Sequence, residues 1–123
     1  MPTSMAALPI SSVNTTSVTM TQFDVFVNPI AAIRQAYPLV VVMESDFAHD
    51  VRDPIVAPLV PRQSMSKLAG RLTPIIAFHG SEHVVLVPAL MGVRFRDLAE
   101  RLGSIASARS ELLAAIDYLF FGV

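Results

Sequence analysis

The sequence predicts a mainly β, α+β domain: a small antiparallel β-barrel or sheet with one C-terminal α-helix. Three observations predict it. Short apolar runs bounded by Pro, Gly and Asn-Pro recur from Gln22 to Leu98, as strands do. Pro74–Phe78 and His83–Val87 flank His79-Gly80-Ser81-Glu82, which reads as a hairpin turn. Sustained helical spacing appears in the final stretch, Ser107–Val123. Strands first and a helix last is the order of an α+β or small-barrel architecture.

In chain order, residues 1–19 are rich in Ser, Thr and Pro and carry no charged side chain. They lack the basic start and apolar run of a signal peptide. They read as a disordered extension or the product of an upstream start codon; the alternative is a strand added to a sheet edge. Residues 20–123 read as a single domain. In Gln22–Val27, Phe23, Val25 and Val27 alternate with Gln22, Asp24 and Phe26, a strand pattern. Asn28-Pro29 marks a turn, and Ile30–Ala36 a loop or short helical turn. Leu39–Met43 is continuously apolar, which predicts a strand covered on both faces. Glu44–Asp53 is a polar loop. Ile55–Val60 is a strand, and Pro54, Pro58 and Pro61 predict that it is an edge or carries a bulge. After a polar connection, Arg62–Leu72, comes the hairpin. Val93–Leu98 reads as a short strand with Arg94 and Arg96 alternating against Val93 and Phe95. Glu100–Ile105 leads into the helix.

On that helix Leu112, Leu113, Ile116, Leu119 and Phe120 recur at three- and four-residue spacing, so they form the predicted buried stripe. The helix is expected from Ser107 to Phe120, with Ser104 or Ser107 capping its start and Gly122 ending it. Phe121 lies one residue off the stripe, about 100° around the axis. It joins Ser110, Ala114 and Asp117 on a face predicted to be exposed. An aromatic there is either a contact residue or a staple folded back onto the body.

The chain has 123 residues, suited to one domain, with 53% hydrophobic and 15% charged residues. Mean hydropathy is +0.56. This excess of apolar residues predicts surface that meets another chain, with a homodimer as the commonest solution. No run reaches the roughly 18 apolar residues of a membrane span. A net charge of −1 argues against direct binding of nucleic acid. The chain holds no cysteine, which excludes disulfides and thiolate metal sites and fits a cytoplasmic protein.

No catalytic constellation emerges, and neither metal nor cofactor is expected. His79 and His83 are four apart, but the Gly80-Ser81 turn between them breaks helix geometry, so they read as solvated residues at a hairpin mouth. His49 near Asp46 and Asp50 could form an acid–base pair or simply a solvated turn. Gly80-Ser81-Glu82 lacks the second glycine of a nucleophile elbow, and no glycine-rich phosphate loop is present.

The ending A-I-D-Y-L-F-F-G-V resembles the C-terminus of the CcdB family of bacterial toxins, which close on an amphipathic helix, an aromatic-rich turn, Gly and a β-branched residue. Met20–Phe26 resembles that family's first strand, and Tyr37–Asp46 its second strand and following turn. Ile55–Leu59 and Leu72–Ile76 occupy the expected next places. The resemblance runs from about Met20 to Val123 and rests on order, spacing and ending together. It implies a non-enzymatic toxin of a toxin–antitoxin system that poisons DNA gyrase by binding its A subunit. It also implies a CcdA-like antitoxin, a homodimer, plasmid maintenance and transcription repression with the antitoxin. By resemblance, the gyrase contacts fall on Phe47, Ala48, Asp117, Phe120, Phe121, Gly122 and Val123. The antitoxin would dock on the Asn28–Tyr37 loop, at Asn28, Arg34 and Tyr37. Two departures stand out: Phe121 where well-known members carry Trp, and Asp117 where some carry an amide. Val42 also replaces an acidic residue common in the family. The wider barrel group includes the MazF and PemK ribonucleases, and Arg52, His49 and Asp53 could suggest such a site. The loop length and helix end follow CcdB instead.

Overall fold

The computed structural model describes residues 20–46, 53–65 and 70–122. Among these residues seven strands precede one helix: β1 (Asp24–Val27), β2 (Leu39–Val42), β3 (Ile55–Pro61), β4 (Ile75–Phe78), β5 (Ser81–Val85), β6 (Met91–Gly92), β7 (Arg101–Ser104) and α1 (Arg109–Phe121). All pairings are antiparallel, and the sheet runs β4-β5-β3-β2-β1-β7, with β6 also paired to β3. The predicted mainly β class with one C-terminal helix is the class observed.

The sheet curls until its two edges approach. An ideal Cβ on Gly103 of β7 would stand 3.0 Å from Phe78 Cε1 and 3.3 Å from His79 Nε2 at the end of β4. Glycine is what permits this close approach. A bulge between Val25 and Phe26, where β1 meets β7, adds to the bend.

Both faces of the sheet are covered. On the helix side Phe23, Val25, Val41, Ala57, Leu59 and Val85 pack with Leu112 and Ala115 of α1. On the other side Phe26, Val40, Val42 and Val56 pack with Met20, Val93 and Leu98. β2 therefore has the two covered faces that its apolar run predicts. The second layer overturns part of the β1 pattern: Phe26 and Asp24 are buried, whereas Val27 is 40% exposed. Phe23 enters the strand with φ 73°, rare for a bulky residue, and points its ring into the helix-side core.

β3 is central, not an edge, which corrects the reading of its prolines. It pairs with β2 on one side and with β5 and β6 on the other. β5 covers Leu59–Pro61 and β6 covers Ile55–Val56, so Pro58 falls in the gap between them. Its carbonyl accepts from Leu86 N–H at 2.9 Å, just past the end of β5, and its ring nitrogen gives the ladder no donor there.

Three other expectations change. The hairpin turn is only His79-Gly80, with φ 51° and 79°, the positive pair a type I′ turn needs. Ser81 and Glu82 are already in β5. Val93–Leu98 is not a strand: Phe95–Asp97 forms a 3₁₀ turn, held by Asp53 Oδ1 accepting from Phe95 N–H at 3.1 Å. A strand, β7, replaces the expected lead-in to the helix. The helix itself starts at Arg109 after a 3₁₀ turn at Ala106–Ala108, without a side-chain cap. Ser104 Oγ instead accepts from Ala106 N–H at 3.0 Å, inside that turn. The expectation of disorder over residues 1–19 lies outside the described residues.

Candidate functional site

The end of α1 is where exposed aromatic side chains concentrate. Leu112 and Ala115 are buried; Leu113, Ile116 and Leu119 are partly buried against the same core. The predicted stripe therefore holds up to Leu119 and fails at Phe120, which is 62% exposed. Phe120 stands about 80° around the axis from Leu112 and about 140° from Ala115, at the margin of the buried stripe. Phe121 is 73% exposed, and Ser110, Ala114 and Asp117 share its open face. Gly122 adopts φ 75° and donates its N–H to Tyr118 O at 3.0 Å, the left-handed stop expected from the sequence. Two adjacent phenyl rings thus stand in solvent beside a carboxylate. Exposed aromatic rings grouped in this way make the end of α1 a candidate docking surface. Val123, Phe47 and Ala48 lie outside the described residues, as do His49 and Arg52.

Tyr118, which sequence reasoning left unassigned, completes the helix end. The guanidinium of Arg71 lies over its ring, 4.9 Å from the centroid. Nothing in the spacing of the sequence links positions 71 and 118; the contact arises from the path of the chain before β4.

Asn28, Arg34 and Tyr37 do come together, but as the internal bracing of one loop. Asn28 is buried; its Nδ2 donates to Tyr37 O and its Oδ1 accepts from Ile30 N–H, both at 2.9 Å. Arg34 Nε donates to Asn28 O at 2.7 Å. The ring of Tyr37 packs on Val60, Val84 and Leu86. Asn28 shapes this loop and offers no free polar atom to a partner.

His79 and His83 are held by Phe78. His79 stacks on it at 3.9 Å between centroids, and His83 meets its edge at 5.7 Å. His83 is buried, contrary to the expected solvated position, and its Nδ1 lies 3.1 Å from Ser81 O. Among the described residues the most buried charged one is Asp24, whose Oδ2 accepts from Thr21 N–H at 2.9 Å. Its Oδ1 sits 2.9 Å from Arg101 Nε, close enough to pair in charge without the alignment of a hydrogen bond. Two surface concavities, of about 560 and 350 Å³, each carry an ion pair of their own, Arg62–Glu82 and Arg94–Asp97. Among the described residues no helix is long and apolar enough to cross a membrane.

The family model described as CcdB protein matches residues 22–122. The chain belongs to the CcdB family. The match takes in β1 through the end of α1, so the exposed helix end lies within it. No curated protein matches the chain. Family membership supports a toxin of the toxin–antitoxin kind.

Proposed function

We propose that this CcdB-family protein poisons DNA gyrase: it binds the A subunit through the end of α1 and traps the cleaved gyrase–DNA complex. The observation that carries the reading is the exposure of Asp117, Phe120 and Phe121 beside the left-handed Gly122. These are positions that the family resemblance assigns to gyrase contact, and Phe47, Ala48 and Val123 complete the set. The staple alternative for Phe121 loses support, because the side chain is largely in solvent. Its role is to place a flat apolar surface against a cationic side chain of the partner, a weaker contact for Phe than for Trp. Asp117 adds a charge at the same face, which favours a basic counter-surface.

The remaining parts of the reading follow from the family. The protein acts by binding and not by catalysis, in the cytoplasm, as a homodimer, and is neutralised by a CcdA-like antitoxin. In the Asn28–Tyr37 loop Arg34 is exposed and Tyr37 partly so, which leaves both some surface for that antitoxin, while Asn28 is buried and braces the loop. Nucleic acid is contacted only through the antitoxin complex.

The test is induced expression combined with a plasmid cleavage assay using purified gyrase. Linearised plasmid and DNA-damage signalling are expected. Loss of cellular RNA without plasmid cleavage would replace this reading with a ribonuclease. Removing Phe121, Gly122 and Val123 should abolish gyrase trapping while leaving the fold intact. A truncated protein that still traps gyrase would remove the helix end from the mechanism.

A further inference from the structure

We propose that Arg71 is a positioning residue for the docking end of α1: by lying over Tyr118 it fixes the helix's last turn and so the direction in which Phe121 and Gly122 leave it. This inference rests on the reading of that end as the gyrase-binding site.

Three observations support it. First, the guanidinium carbon of Arg71 is 4.9 Å from the Tyr118 ring centroid, inside the roughly 6 Å range of a cation–π contact. Second, both partners are anchored where it matters. The segment bearing Arg71 is tied to β5 and the turn after it: Leu72 O accepts from Val87 N–H at 3.3 Å and Pro74 O from Val85 N–H at 3.0 Å. Tyr118, for its part, supplies the carbonyl that accepts from Gly122 N–H. A hold on the Tyr118 ring is therefore a hold on the residue that closes the helix. Third, the last turn of α1 contains no basic side chain. The carbonyl end of a helix carries a partial negative charge, and Asp117 adds to it. Arg71 brings a cation to this end from elsewhere in the chain.

The contact is at the surface, so its effect is modest and graded. Arg71→Ala should weaken binding to the gyrase A subunit about two- to fivefold, the factor equivalent to one exposed cation–π contact. In the absence of gyrase, the amide order parameters of residues 119–122 should fall. Arg71→Lys keeps a cation and Tyr118→Phe keeps the ring face, so both should stay near the unmodified protein. Adding Arg71→Ala to Tyr118→Leu should cost nothing further, because the pair acts as one unit. Unchanged order parameters in Arg71→Ala, or additive losses in the double variant, would overturn the proposal. Should the unmodified protein fail to bind gyrase while Arg71→Ala still loosens residues 119–122, the gyrase reading falls and the positioning role stands.

Discussion

A methyl group at position 103 would be crowded, at 3.0 Å from Phe78 Cε1 and 3.3 Å from His79 Nε2. The nearest atoms, Phe78 Cε1 and His79 Nε2, belong to the opposite edge of the curled sheet, and the Phe78 ring is itself buried and stacked. Gly103→Ala should therefore cost about 1–3 kcal/mol, the range of overpacking a well-filled site, measured by denaturant unfolding. Gly122→Ala is the useful contrast: nothing lies within 4 Å, so its cost is conformational only, about 1 kcal/mol for φ 75°. The pair of Asp24 and Arg101 makes a second residue-scale prediction. Removing the arginine leaves a carboxylate buried with one remaining N–H donor, so Arg101→Ala should destabilise by about 1–3 kcal/mol. Arg101 is half exposed, which keeps the loss below that of a wholly buried pair. Neither site was legible in the sequence. Gly103 lies next to Ser104 in a stretch that reads as a linker, and Asp24 takes the polar slot of an apparent alternation. Both acquire their meaning from residues more than twenty positions away.

At the scale of elements, legibility followed the strength of the local pattern. Leu39–Met43 was readable because five apolar residues in a row leave few alternatives. The hairpin was readable because His79-Gly80 tolerates positive φ. β7 was not: R-L-G-S has neither alternation nor β-branched residues, and it is a strand because β1 offers it an edge. The helix shows the limit in its clearest form. Periodicity gives the same weight to Leu112 and Phe120, yet Leu112 is buried and Phe120 is 62% exposed. Leu112→Ala should therefore cost about 2–5 kcal/mol, as for a buried leucine, whereas Phe120→Ala should stay within about 0.5 kcal/mol. Melting temperatures of the two variants would decide it. A large loss at Phe120 would mean that the ring packs on the body, and that its exposure does not mark a docking surface. The candidate contacts at the helix end were thus half legible. Spacing placed Asp117 and Phe121 outward and Phe120 inward; the folded chain shows Phe120 exposed, and only the chain path adds Arg71.

For the whole molecule, the question is where the surplus of apolar residues goes. A mean hydropathy of +0.56 exceeds what a single thin core needs in 123 residues. Part of the surplus is taken up internally, because clusters on both faces of the sheet, and a third around Val60 and Val84, each exclude water. Even so, Ile75, Phe95, Tyr118, Phe120 and Phe121 remain at 37–73% exposure. Burying a large apolar side chain is worth roughly 1.5–3 kcal/mol, so a second copy that covers exposed residues away from the end of α1 gains free energy to set against the cost of association. A homodimer is expected on this ground and from the family. Its mass should be twice 13.3 kDa by sedimentation at micromolar concentration. Because a dimer's stability is linked to protomer concentration, its melting temperature should rise as protein is concentrated a hundredfold. A monomer mass with a melting temperature independent of concentration would refute the dimer.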